Sequence, residues 1–399
     1  MHRRIGIAGL ALVLLGSVAA CTSASENDAS SDSSTAAGTS EAGGQATGII
    51  ASDDPRVAQI VDIVERAVPE LGLQSVLFGV WVGDEEIVRG AVDAPSIMEP
   101  TTVDALVRVG QPMEAMLATI LLQLDEEGVL DMDAPVDQYL PQLVNADVIT
   151  PEMLANSTSG TPDYVPNATF VDAVYANPFA AYTYDQLLGF AQQDAPLFEP
   201  GTRFAYSHTD MASLVEVLKA ASGQPLDELM AERIFEPLDM QHSSAHDDAE
   251  IGQPAYRAFT HERGVYEEST TWNPAWGLNG GMNASVGDLG RWLRALNDGE
   301  LLNEEDAALI LSPPADDPGG QAAGKYFTFG SVVSGDWVFG NPSLNGYRGF
   351  TAQLRDPSVT IVVWSTAGFT STDESNSSAT IGERISAVVS DIPLELLSS

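Results

Sequence analysis

The 399 residues carry 57 acidic side chains against 17 basic ones, a formal charge of −40, and 44% of them are apolar. A field of that sign repels nucleic acid and anionic headgroups and favours a soluble monomer, so nucleic-acid binding is excluded as a function class. The single cysteine, Cys21, rules out an internal disulfide, a cysteine-based zinc site and a Cys–His nucleophile in the folded part.

Residues 1–20 read as a secretory leader. His2, Arg3 and Arg4 are basic, and Ile5 to Val18 form an apolar run too short to span a bilayer. The run ends in Val18-Ala19-Ala20-Cys21, which resembles a bacterial lipobox. That resemblance implies cleavage before Cys21 and acylation of its sulfur and new amino group. The chain would then be lipid-anchored to the outer face of the cytoplasmic membrane, the anchor being its one link to lipid. Residues 21–52 are mostly Ser, Ala, Gly, Thr, Asp and Glu, and are expected to form a disordered tether with ends roughly 30 Å apart.

The folded domain is expected over residues 53–395. Helical spacing runs from Asp53 to Glu70, with Val57, Ile60, Val61, Val64 and Val68 on one stripe. Two strands, Val76–Val82 and Glu85–Val92, follow around Gly83-Asp84, and then a helix from Leu106 to Glu127. The middle alternates loops with helices at Tyr184–Gln192, Asp210–Ala221 and Asp288–Leu296. Strands return at Phe327–Val333, Trp337–Phe339, Phe350–Arg355 and Val359–Ser365, before a closing helix at Ala379–Val389. The fold class is therefore α/β of the α+β type. A central antiparallel sheet from both ends is flanked by helices, with a mostly helical subdomain inserted at roughly 105–290. A ligand cleft is expected where the two parts meet.

Several segments, in order, resemble the serine β-lactamase, DD-peptidase and esterase family, including penicillin-binding-protein-like members. They include Val107-Arg108-Val109-Gly110 with Leu117–Leu124, Ser157-Thr158-Ser159-Gly160-Thr161-Pro162-Asp163-Tyr164, and Phe198-Glu199-Pro200-Gly201 through Tyr206-Ser207. Ile234–Met240, Gly280-Gly281-Met282 and Gly349-Phe350 continue the series. The resemblance implies a β-lactamase/transpeptidase-like fold and covers most of residues 55–390.

It also implies three reactive motifs, and all three are altered. Where the family carries a nucleophilic serine with a lysine one helical turn on, this chain has Gln111 and Glu114. A carboxamide is no nucleophile, and a carboxylate reverses the charge. The only lysines, Lys219 and Lys325, follow Glu216 and Ala322 by three, so Ser-x-x-Lys occurs nowhere. Pro112 still suits the first turn of a helix. The family's Tyr-x-Asn reads Tyr206-Ser207-His208. Ser207 with His208 as base is an alternative chemistry, but sequence neighbours rarely point at each other, and a polar cleft-wall histidine is the plainer reading. The third motif's cation falls on Ser343 or Leu344. Arg348 could compensate by pairing with a carboxylate, although a solvent-facing loop arginine is the plainer reading.

Other constellations are weaker. No Gly-x-Ser-x-Gly or His-Glu-x-x-His occurs, and His242, His246, Asp247 and Asp248 read as a solvated loop rather than a metal site. Trp272, Trp276, Trp337 and Tyr347 either line the cleft or pack on the sheet. The expectation is a non-catalytic envelope lipoprotein that binds a peptidoglycan peptide or a protein partner through Tyr206, His208, Tyr347 and Arg348. It would need no cofactor and no metal. The alternative is a hydrolase of the same family with substituted machinery, using Glu114 as base on water, Tyr206 as acid and His208 to position substrate.

Overall fold

The computed structural model describes residues 44–246, 249–274, 281–314, 324–371, 376–394 and 396. The leader, Cys21 and the tether up to residue 43 lie outside the described residues, as do Asp247, Asp248, Trp276 and Gly280.

Among the described residues the strands are β1 (Gln45–Ala51), β2 (Leu73–Val82), β3 (Glu85–Asp93), β4 (Val107–Arg108), β5 (Ser243–Ala245), β6 (Phe259–Thr260) and β7 (Glu267–Glu268). They continue as β8 (Met282–Ala284), β9 (Lys325–Thr328), β10 (Ser331–Ser334), β11 (Trp337–Gly340), β12 (Ser343–Leu344), β13 (Tyr347–Leu354) and β14 (Val359–Ala367). The main sheet is antiparallel in the order β1-β3-β2-β14-β13-β11-β10-β9, with β12 paired to β13. Its two chain ends meet at β2–β14, where Val82 pairs with Val359 and Leu77 with Trp364.

Period-two alternation assigns the faces of the sheet. Val76, Phe78 and Val80 share one core cluster with Ile60, Val64 and Val68 of α1 (Val57–Glu70) and Ile381 and Ile385 of the helix Ser377–Val389. Leu77, Trp81, Val362 and Trp364 face the other cluster, together with α2 (Pro112–Glu126) and the helix Val286–Asp298. Full burial of a side chain such as Ile60 or Phe350 is worth about 1.5–3 kcal/mol. The inserted subdomain holds α3 (Pro151–Ala155), α4 (Ala168–Ala176), α5 (Tyr184–Ala191), α6 (His208–Ser222) and α7 (Leu226–Met230). Its core is α6 against α2, and α6 stops at Gly223, whose left-handed φ of 72° favours a residue without Cβ.

Three expectations need correction. Residues 45–51, assigned to the disordered tether, form the edge strand β1, with Ala51 opposite Val88 and Thr47 Oγ1 donating to Asp93 Oδ2 at 3.0 Å. Few apolar residues are needed at an edge, because the gain lies in pairing the main chain of β3; Gly90 leaves the space that Ile49 fills. The helix expected from Leu106 begins at Pro112, because residues 107–108 pair with β8 and Gly110 turns the chain at φ 68°. The strand expected over Phe327–Val333 is a hairpin of β9 and β10, turned at Gly330 with φ 77°.

Candidate active site cleft

The N-terminus of α2 supplies the first two groups. Gln111 stands at the helix entry but its side chain does not cap the helix. Its Oε1 instead accepts from the backbone N–H of Asn341, just past the end of β11, at 3.0 Å. Glu114, one turn on, is 1% exposed. Helix α2 is held close to the β9–β10 hairpin here, since a Cβ on Gly330 would collide with the Ala115 nitrogen and the Glu114 carbonyl carbon.

Tyr206, two residues before α6, donates its hydroxyl hydrogen to Glu114 Oε1 in a short bond, and Glu114 Oε2 has no partner among the described residues. Burial pushes the Glu114 carboxyl up to about 7. The Tyr206 hydrogen bond and the nearby His208 work against the rise, and Asp163 adds to it. Burial, followed by the Glu114 charge, pushes the Tyr206 phenol far above its ordinary value, so it remains a donor.

His208 opens α6, and its Nδ1 lies 2.9 Å from Asp163 Oδ2. Its ring meets that of Tyr206 edge-on, with centroids 5.0 Å apart. Burial pulls the imidazole pKa down, but the Asp163 carboxylate and the Glu114 charge outweigh it, and the net shift is upward. Asp163 is held in place by the loop around it. Thr209 Oγ1 donates to the Pro162 carbonyl at 2.7 Å and accepts from Tyr164 N–H at 3.2 Å. Ser159 Oγ donates to the buried Asp210 at 2.5 Å. Asp163 is the residue of this site that sequence reasoning passed over. It stood inside a quoted motif, but its pairing with His208 depends on how this loop seats on α6.

Position by position, the structure brings Glu114, Tyr206 and His208 together with Asp163, while the Gln111 side chain bonds to the end of β11 instead. Ser207 is excluded as a nucleophile by its burial: it is 0% exposed, and its Oγ has no partner among the described residues and does not cap α6. Ser343 and Leu344 form β12, and the main chain that meets Gln111 is Gly340-Asn341, earlier in the chain. Tyr347 is not a cleft residue: it is 1% exposed and its hydroxyl donates to the Tyr256 carbonyl at 2.9 Å. Arg348 is not in a solvent loop but on β13, half-buried, where its charge acts on the Glu262 carboxyl. Trp272 and Trp337 are buried, so packing is their role.

A cavity of about 20 Å³, lined by Gln111, Ala115, Trp292, Gly340 and Thr351 among others, has room for about one water. Among the described residues no group of three or more His, Cys, Asp or Glu could hold a metal ion. Chemically, the cluster offers a carboxyl that titrates near neutrality, an acid–imidazole pair and a fixed carboxamide.

Residues 60–381 match the family model described as Beta-lactamase. The chain is 26% identical over 246 residues to the putative penicillin-binding protein PbpX of Bacillus subtilis, across 60% of this chain and 59% of that protein. It is 26% identical over 243 residues to the D-alanyl-D-alanine-carboxypeptidase/endopeptidase AmpH of Escherichia coli, across 58% of this chain and 61% of that one. The match thus spans about three fifths of these curated relatives. Among solved structures, a D-stereospecific amidohydrolase from Streptomyces superposes with a TM-score of 0.70 at 23% identity, covering 83% of this chain and 97% of the other. The D-amino acid amidase of Ochrobactrum anthropi bound to D-phenylalanine gives 0.71 at 20%, covering 85% and 100%. At those identities the likeness speaks for the fold.

Proposed function

This chain belongs to the beta-lactamase family, and from that premise we propose that it is a non-catalytic member, lipid-anchored through Cys21 at the outer face of the cytoplasmic membrane. Its cleft would hold a cell-wall peptide end or a protein partner. One observation carries the reading: at the entry of α2, where the resemblance implies a serine and a lysine, stand Gln111, bonded to Asn341, and Glu114, buried and bonded to Tyr206. Neither is a serine-type nucleophile, and Ser207 is fully buried. Relatives named for D-alanyl-D-alanine and D-amino acid substrates support a ligand ending in a D-residue.

The test is incubation of the purified protein with nitrocefin, p-nitrophenyl esters and D-amino acid amides, alongside fluorescent-penicillin labelling. Neither turnover nor labelling is expected. Turnover that falls in Glu114→Ala or His208→Ala would overturn the proposal.

A second reading is favoured by the His208–Asp163 pair and the Glu114 carboxyl at about 7. Groups poised near neutrality suit general acid–base catalysis, worth typically 10²–10⁴-fold. A hydrolase of that kind would activate water directly, so hydrolysis would proceed without a labelled intermediate.

A further inference from the structure

Strand register gathers four chain segments at one end of the main sheet. Gln45 pairs with Asp93, Ser75 pairs with Asp93 and with Thr366, and Gly368 N–H donates to the Gly72 carbonyl at 2.9 Å. The described chain therefore enters at this end, at Gly44, whose N–H donates to the Glu65 carbonyl at 2.9 Å. The β6–β7 hairpin covers the same end: Phe259 N–H donates to Thr366 Oγ1 at 2.6 Å, and the Tyr266 hydroxyl to the Ala367 carbonyl at 3.3 Å. Three of the four most exposed large apolar side chains among the described residues stand here, with Met98 95% exposed, Phe369 74% and Val265 57%. They share one platform. Phe369 meets Tyr266 edge-on with ring centroids 5.6 Å apart, and Tyr266 stacks on Phe259 at 5.5 Å. Arg257 lies over Phe259 and 4.0 Å from Glu99, the neighbour of Met98. Apolar side chains scattered singly need no partner, whereas a contiguous set marks a contact surface.

We infer that this end of the sheet is a lipid-docking surface, on which Met98, Val265 and Phe369 enter the headgroup region of the membrane that holds the anchor. The position of Gly44 selects lipid over other occupants. Residues 22–43, as the tether their composition implies, place Cys21 roughly 25 Å from it, so the acyl chains keep this end of the domain nearest the bilayer. The tether also makes docking intramolecular, and an affinity in the millimolar range of lipid is then enough. Charge does not oppose the contact locally. The net −40 repels an anionic surface, but acids at this end are met by arginine: Arg257 is 2.6 Å from Glu268, and Arg263 is 3.5 Å from Glu267. Charges farther than a Debye length of about 8 Å are largely screened. Docked in this way, the domain holds one orientation on the membrane instead of turning freely on its tether.

This inference rests on the lipid-anchored reading and adds a second, direct contact with lipid beside the anchor. It is tested by flotation with phosphatidylcholine vesicles at millimolar lipid, using the chain from Thr22 onward, which lacks leader and cysteine and keeps the whole folded domain. The comparison is the same chain carrying Met98→Ser, Val265→Ser and Phe369→Ser. The unsubstituted chain should partition onto the vesicles about tenfold more strongly than the triple variant. The two should melt at the same temperature, because the side chains removed are exposed. Equal partition of the two, or none by either, overturns the inference. So does a dimer that the triple variant loses, which would give the surface to a second copy of this chain. A Cys21 without acyl groups in the protein extracted from cells, read by mass spectrometry, counts instead against the anchored reading beneath it.

Discussion

Replacing Glu114 by glutamine should flatten the pH dependence of stability between about pH 5 and 8. The folded carboxyl titrates at about 7 against an ordinary 4.5. Because the folded value is raised, the folded state holds the proton more tightly than the unfolded chain. The associated stability is complete below 4.5 and is lost as pH rises through 7. At 1.36 kcal/mol per pK unit, the loss is about 3 kcal/mol. Glutamine cannot ionise and still accepts from Tyr206. Its N–H2 replaces an oxygen that has no partner among the described residues, a cost of about 1–3 kcal/mol that moves the whole curve without bending it. His208, also raised, contributes a loss of the same sign in both proteins and largely cancels. Urea unfolding at pH 5 and pH 8 measures the effect. The wild type should lose about 2–3 kcal/mol more between the two than the variant does, since at pH 5 the unfolded chain is already partly ionised. Parallel losses would refute the account of Glu114 as a neutral, buried acid.

Ser207→Ala should be neutral or slightly stabilising in thermal melts, since its hydroxyl is buried without a partner among the described residues and its removal relieves an unmet hydrogen bond; loss of any activity in this variant would contradict its exclusion from chemistry. Gly330→Ala should destabilise by more than about 2 kcal/mol, because its Cβ would run into the α2 backbone and its φ is 77°; a melting temperature equal to wild type would show that helix and hairpin can part freely. A chain that begins at Asp53 should melt lower and aggregate more readily than one beginning at Gly44, because removing β1 bares the edge of β3. Light scattering during the melt distinguishes the two.

Much of the architecture was legible in the sequence because it rests on periodicity. The α1 stripe and the closing helix declare which face is buried, and β2 and β14 read as short apolar runs because both of their faces are covered. β1 was missed because edge pairing is a main-chain interaction, and composition does not record it. At the site, Gln111, Glu114, Tyr206 and His208 were legible through their motif positions. The Asp163–His208 pair was not, since it depends on Thr209 and Asp210 bolting a distant loop onto α6. Tyr347 and Arg348 were misplaced because the loop-like run before them hid β12, and with it the register that turns Tyr347 into the core.

The seam between β2 and β14 bears on biosynthesis. Val82 emerges from the ribosome long before Val359, its partner, so the centre of the sheet stays open while most of the chain is made. Pairing over such a separation is slow and leaves unpaired strand edges exposed in the meantime. Under the export proposed above, a late-closing sheet would leave little native structure early enough to obstruct passage across a membrane. By the same logic, a message truncated before Val359 should yield aggregate rather than a partly working product.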